Sequence, residues 1–348
     1  MTRRRRIFAV AASLLSLVLA LALLAMGDVY LHWRTQDLAG VNVWGYRGGP
    51  VGRKRPNEIR LAMLGGSTAF GYGLPPRESI PAFLERRLNG DARARGRHFV
   101  VVNLGAPGQG AYGFLADLTD YDRLDFDIAI LYEGYNDLGV DGVPEGVPQR
   151  AAPNHLLWRR QSPIFRLSGY YPIFPLVFRE KAMALRFGGD LNAAYENKPV
   201  VFRPDLASRA TASALGAAAE IGQSLERRIG RLSDMPAVAI ETDEECVPRW
   251  KEYCGAVRAA VAWCLMRNRR VLVVTQPYVS DAHVEQQANV SGMLQARFGA
   301  DHRLRYVNLG RVLNLRDRTV AYDGLHLVAA ANDRVAAHLT DPVMELVP

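Results

Sequence analysis

The chain has 348 residues, a formal net charge of +8, seven histidines and three cysteines. Four of the positive charges, Arg3–Arg6, belong to a targeting-type N-terminus, so the rest is mildly basic, and no basic patch interleaved with aromatics points to nucleic acid. Cys246, Cys254 and Cys264 form no Cys-x-x-Cys pair and no two histidines stand four apart, which argues against a structural or catalytic metal.

Arg3–Arg6 are followed by Ile7–Met26, an uncharged run rich in Leu and Ala. As a helix it spans a hydrocarbon core of roughly 30 Å. The arginines predict a cytoplasmic N-terminus, with all that follows in the periplasm or outside the cell. Residues 1–27 therefore read as a basic tip and an inner-membrane anchor spanning 7–26. A cleaved signal peptide is the alternative, because Ala25-Met26-Gly27 is a small-x-small site, but the run exceeds the usual 7–15-residue signal core. Residues 28–57 read as a linker and an ordered lead-in arm in which Trp44 and Tyr46 dock on the domain, with a substrate-side role as the alternative. Ile164–Phe178 is too short for a second span, and Arg166, Pro172 and Pro175 interrupt it.

From Glu58 the pattern alternates. A strand at Ile59–Leu64 runs into the glycine turn GGSTAFGYG with Ser67 at its apex. A helix follows at Ser79–Leu88, capped by Ser79 and apolar along Ile80, Phe83, Leu84 and Leu88. The strand His98–Leu104 is a continuous apolar run, as in a sheet covered on both faces. It leads into GAPGQG, Gly105–Gly110, and a helix over about Tyr112–Tyr121. The strand Asp127–Tyr132 leads into EGYND, which contains Asn136. Strands alternating with helices argue for a parallel five-stranded sheet in a three-layer α/β/α sandwich over residues 58–348.

The alternation breaks at Leu138. Residues 139–204, rich in Pro, Gly and aromatics, read as an insertion after strand three. It is expected over the catalytic edge, as a lid or cap whose Trp158, Phe165, Tyr170, Tyr171, Phe174 and Phe178 line an acyl or glycan groove or face the membrane, or as a small satellite core. A long helix is expected at about Leu206–Leu232. Cys246 and Cys254 suit a disulfide in an exported polar loop, with Cys264 a buried thiol on a helix ending near Asn268. Val271–Thr275 is strand four, Asp281–Phe298 a helix and Leu304–Asn308 strand five. DGLH, with Asp323 and His326, precedes a closing helix at about Leu327–Leu339.

These loops carry a chemistry. A serine hydroxyl becomes a nucleophile when a histidine accepts its proton. Asp323, three residues before His326, can hold the imidazole tautomer and stabilise the imidazolium. The ester carbonyl becomes an oxyanion, for which the N–H of Ser67, the N–H of Gly108 and the amide of Asn136 offer donors. Other readings are plainer: Ser67 as a helix cap, His326 as a helix-start residue, Asn136-Asp137 as a turn. A phosphate loop at Gly105–Gly110 would need G-x-G-x-x-G, whereas the order is G-x-x-G-x-G.

The four blocks resemble those of the SGNH (GDSL-type) hydrolases: Ser67 in the first, Gly108 of NLGAPGQG in the second, Asn136 of GYND in the third, and Asp323 and His326 of DGLH in the fifth. The similarity runs over about Glu58–Leu339 outside the insertion. One position departs from it: Gly66 stands where the family name has aspartate. The resemblance implies a flavodoxin-like SGNH fold, a Ser67–His326–Asp323 triad, an oxyanion hole of Ser67, Gly108 and Asn136, and no cofactor. With the anchor, it predicts a membrane-tethered, exported esterase for an O-acyl ester, such as an O-acetyl group on a small molecule or a cell-surface polysaccharide. An O-acyltransferase of the same type, or a catalytically silent glycan-binding scaffold, remains open.

Overall fold

The computed structural model describes residues 3–37, 40–138, 159–160, 162–174, 177 and 242–347. The chain divides into two compact units, one of residues 1–35 with 160–234 and one of residues 36–159 with 235–348. The expected helix at Leu206–Leu232, most of the 139–204 insertion, and Trp158 and Phe178 within it lie outside the described residues.

In the first unit a single helix runs Arg3–Thr35. It is long and apolar enough to cross a membrane. At 1.5 Å per residue its 33 residues reach about 50 Å, well beyond a hydrocarbon core of roughly 30 Å. The linker expected from Asp28 therefore begins only after Thr35. The cause lies in two polar side chains. Asp28 Oδ1 accepts the N–H groups of Ile173 (2.9 Å) and Phe174 (2.5 Å), and its Oδ2 accepts the Tyr170 hydroxyl at 2.5 Å. His32 Nε2 lies 2.7 Å from the Tyr171 carbonyl. Both side chains are buried, so the last helical turns are held by the segment 170–174. That segment is preceded by a short helix, Pro163–Ser168, with Ser162 Oγ accepting the Phe165 N–H.

The second unit is built on five parallel strands: β1 Glu58–Gly65, β2 His98–Asn103, β3 Ile128–Glu133, β4 Arg270–Thr275 and β5 Leu304–Asn308. Their order is β2-β1-β3-β4-β5, the flavodoxin-like order, in which the direction of winding reverses between β1 and β3. The central runs Leu61–Leu64, Ile128–Tyr132 and Val271–Val274 are buried along their length, as two covered faces require. One face (Leu61, Met63, Ile128, Ile130, Leu272 and Val274) packs on the helices Ile80–Gly90 and Ala329–Leu346. The helices Phe114–Asp120, Lys251–Met266 and Asp281–Phe298 pack together as the third layer, with Lys251–Met266 against β4.

Three local expectations are corrected. Ser79 precedes the helix Ile80–Gly90, but its hydroxyl donates to the Pro76 carbonyl at 2.8 Å and caps no helical N–H. The helix expected at about Tyr112–Tyr121 is a 3₁₀ turn, Ala111–Gly113, followed by Phe114–Asp120. The closing helix continues through Pro342 to Leu346, because Leu339, Val343 and Leu346 recur on its buried face and hold the last turns in the core.

The lead-in arm packs on the α/β unit through Tyr46 and Arg47. The Tyr46 ring meets Tyr121 edge-on (5.9 Å, 82°) and its hydroxyl accepts the Val51 N–H at 2.7 Å. The Arg47 N–H bonds the Asn103 carbonyl at 3.0 Å, and its buried guanidinium lies 4.2 Å over the Phe70 ring and donates to the Leu74 carbonyl. The arm thus braces the turn that carries Ser67. Cys246 and Cys254 are joined as a disulfide, and Cys264 is a buried thiol pushed up to about 12 by burial.

Candidate active site

β1 ends at the crossing point of the sheet. Gly65 fits there because a Cβ would stand 2.1 Å from the Tyr132 carbonyl oxygen and 2.8 Å from the Ala69 Cβ. Gly66, in contrast, has φ −84° and ψ −151°, an extended conformation open to L side chains. The missing aspartate therefore reflects no backbone need for glycine. Ser67 opens one helical turn, Ser67–Phe70, closed by the N–H groups of Gly71 and Tyr72 on the Ser67 carbonyl.

The loop after Leu315 brings His326 to this turn. An isolated bridge pairs Ala321 with Leu327, and the Tyr322 N–H donates to the His326 carbonyl at 3.1 Å. Within that hairpin-like loop Asp323 Oδ1 accepts the N–H groups of Leu325 (3.0 Å) and His326 (2.7 Å). Asp323 Oδ2 lies 2.5 Å from His326 Nδ1, and His326 Nε2 lies 2.8 Å from Ser67 Oγ. The carboxylate accepts only, so Nδ1 carries the proton and Nε2 presents its lone pair to the serine hydroxyl. Burial pushes the Asp323 carboxyl up, but the His326 ring, the His326 N–H and the Leu325 N–H outweigh it and hold the group below its ordinary value. Tyr72 and Tyr322, both substantially exposed, flank the His326 ring with centroids 5.1 and 5.8 Å away.

The second loop follows β2. Asn103 Nδ2 donates to the carbonyls of Ala69 (3.0 Å) and Phe70 (3.3 Å), and its Oδ1 accepts the Gly105 N–H, which ties β2 to the serine turn. Gly108 has φ +73°, the left-handed region natural to glycine. Among the described residues neither the Ser67 N–H nor the Gly108 N–H has a hydrogen-bond acceptor. Asn136 Nδ2 donates to the Gln109 carbonyl at 2.9 Å. The Asp137 carboxylate accepts the Ala111 N–H at 2.9 Å, and burial pushes that carboxyl well up, which lowers its negative charge beside the loop.

All five residues expected from the sequence thus lie on loops at one end of the sheet. Several supporting residues were not foreseen. Buried Gln276, just past β4, accepts the Tyr135 N–H at 3.0 Å and donates to Thr68 Oγ1 at 2.6 Å, so it links the residue after Ser67 to the residue before Asn136. Buried Gln109 donates to Asp117, which pairs with Arg159 at 2.5 Å, and Arg159 also meets Asp120 at 2.9 Å. For Gln276 the available signal is a polar side chain directly after an apolar parallel strand. Replacing Gln276 by Ala removes the acceptor of the part-buried Tyr135 N–H and the donor to the buried Thr68 hydroxyl. It is expected to cost roughly 2–4 kcal/mol of stability in denaturant unfolding. We expect kcat on a small ester to fall about tenfold or more with little change in KM, because ångström-scale shifts of reacting groups are costly. A KM change with kcat intact would assign Gln276 to binding instead.

Among the described residues no cluster of three or more His, Cys, Asp or Glu is placed to hold a metal ion. No protein-family model and no curated protein matches the sequence. Solved structures of GDSL-type lipolytic proteins and carbohydrate esterases do match. A lipolytic protein assigned to the G-D-S-L family from Desulfitobacterium hafniense is 11% identical, with a TM-score of 0.42 over 81% of this chain and 98% of its own. A family 3 carbohydrate esterase from Clostridium thermocellum is 14% identical, with a TM-score of 0.41 over 82% and 97%. A two-domain esterase active on acetylated mannans is 12% identical, with a TM-score of 0.40 over 84% of this chain and 52% of its own.

Proposed function

We propose that the chain is a serine esterase that cleaves an O-acyl ester, with Ser67 as nucleophile, His326 as general base and acid, and Asp323 as its orienting carboxylate. The observation that carries this reading is the continuous line from Asp323 Oδ2 to His326 Nδ1 (2.5 Å) and from His326 Nε2 to Ser67 Oγ (2.8 Å). Ser67 Oγ bonds to the acyl carbon as its proton passes to Nε2. The tetrahedral oxyanion is received by the N–H groups of Ser67 and Gly108 and by the Asn136 amide. Collapse expels the alcohol, which takes the proton from Nε2, and water then attacks the acyl-serine by the same route.

The substrate we assign is an O-acylated glycan. Exposed Tyr72 and Tyr322 beside the histidine suit the flat apolar faces of sugar rings, and both remain open to solvent. We further propose that the helix Arg3–Thr35 is a retained anchor, with the α/β unit on the non-cytoplasmic side. The support is that Asp28 and His32, immediately after the apolar run, are buried by segment 170–174, an arrangement a merely disposable leader has no use for.

The test is turnover of p-nitrophenyl acetate by the full chain in detergent, with Ser67→Ala as control. Activity lost with Ser67 supports the esterase. Equal turnover by both proteins, or none by either, would return the chain to a glycan-binding scaffold. Acyl transfer to added oligosaccharide that outpaces hydrolysis would make it an O-acyltransferase.

A further inference from the structure

A groove of about 890 Å³ runs over the C-terminal ends of β4 and β5, beside the triad. Tyr278 and Ser280, after β4, form one side, and Arg311, Asn314 and Arg316, after β5, form the other. Gly324, which lies between Asp323 and His326 in the chain, is one of its lining residues. The groove therefore opens directly onto the catalytic loop.

Its charge is uneven. Arg311, Arg316 and Arg318 line it against one acidic lining residue, Asp281. Arg318 donates to the Tyr322 carbonyl at 2.7 Å and so steadies the loop that carries Asp323. The guanidinium groups of Arg311 and Arg316 are exposed and, among the described residues, make no ion pair or hydrogen bond. Elsewhere on this unit arginines are commonly paired, as Arg87 is with Asp333, Arg93 with Asp91 and Asp341, and Arg303 with Asp301. Two unpaired guanidinium forks in one groove present bidentate donors to an anion. The Tyr278 ring adds apolar surface to the lining, and Leu313 and Leu315 form a buried apolar floor beneath it.

We infer that this groove is a subsite for an anionic glycan, in which Arg311 and Arg316 bind carboxylate or phosphate groups on sugar residues next to the one whose ester reaches Ser67. The inference rests on the esterase reading for the position of the ester, and it narrows the substrate to acidic chains. The mixture of arginine, tyrosine and asparagine suits a hydrated sugar chain, whereas a lipid tail would need a continuous apolar channel.

Two measurements on the full chain in detergent test this. In the first, kcat/KM is compared for O-acetylated oligogalacturonate and O-acetylated manno-oligosaccharide. The acidic ester should be preferred, the preference should shrink as NaCl rises from 50 to 500 mM, and Arg311→Ala with Arg316→Ala should cut the preference about tenfold or more. In the second, Ser67→Ala protein is titrated with oligogalacturonate, a phosphorylated manno-oligosaccharide and the neutral manno-oligosaccharide. Either anionic chain should bind at least tenfold more tightly than the neutral one, and the tighter of the two identifies carboxylate or phosphate as the group recognised. Thermal melts of both proteins check that the arginine variant folds.

Equal kcat/KM on acidic and neutral esters, or a preference untouched by the two substitutions, would overturn the inference and leave the esterase standing. Arginine-dependent binding of an anionic chain by a protein that hydrolyses nothing would keep the anion subsite and sink the esterase. Absence of both binding and hydrolysis would remove both.

Discussion

Ser67→Ala is expected to lower kcat on a small acyl ester by about 10⁴-fold or more, with the fold intact. The magnitude follows from what remains. Removing the nucleophile of a serine triad leaves only the contribution of the oxyanion donors and of binding. The proposed donors are backbone N–H groups and the Asn136 amide, which an alanine at 67 does not delete. His326 would keep its bond to Asp323 but lose its partner 2.8 Å away. Ser67 is half-buried, so the change opens no large cavity in the core and should hardly alter stability. A variant within tenfold of the parent would mean that another group carries the chemistry.

Asp323→Asn should lower kcat by roughly 10²–10⁴-fold with little change in KM. Asparagine can offer an N–H to Nδ1 and so favour the tautomer with its proton on Nε2, where it cannot accept the serine proton. The lower bound is set below that of a fully buried triad because the Asp323 side chain is 41% exposed, and water can partly replace it. The sign of its pH dependence follows from its environment. The bonds from His326 and Leu325 outweigh the upward push of burial and hold the carboxyl below its ordinary value. The ionised form therefore supports His326 throughout the neutral and mildly acid range, and that support is lost only as pH falls through the depressed value. A kcat for Asp323→Asn within threefold of the parent would assign the orientation of His326 to some other group.

Much of the α/β unit was legible because its strands advertise themselves. IRLAML, HFVVVN, DIAILY and VLVVT are short apolar runs closed by Gly, Asn or Pro, and a strand buried on both faces has little other way to be written. The candidate site was legible for a related reason. A parallel sheet gathers its C-terminal loops at one edge, so Ser67, Gly108, Asn136 and the DGLH loop, each read as the end of an element, were bound to be neighbours. Ser79 shows where local rules fall short. It stands where a cap belongs, yet the preceding 3₁₀ turn, Pro76–Glu78, takes its hydroxyl.

The braces of the site were hidden because their partners are remote. Gln276 meets Thr68 across 208 positions, and Arg159 meets Asp117 across 42. No periodicity in either stretch marks such a pair. Asp28 and His32 read as the start of a linker since charged residues end an apolar run. Only the fold supplies the carbonyl and N–H groups of 170–174 that bury them and let the helix continue to Thr35. Gln109 sat inside the recognised loop, but its bond to Asp117 depends on how that loop folds over the following helix.

In the proposed chemistry Ser67 Oγ attacks an acyl carbon because His326 Nε2 takes its proton. The direct measurement is the intact and peptide mass of the full chain after exposure to a fluorophosphonate, which bonds to an activated serine and expels fluoride. One adduct is expected, on the peptide carrying Ser67, formed at least about a hundredfold more slowly in His326→Ala. An unmodified Ser67, or labelling that proceeds at the same rate without His326, would contradict it.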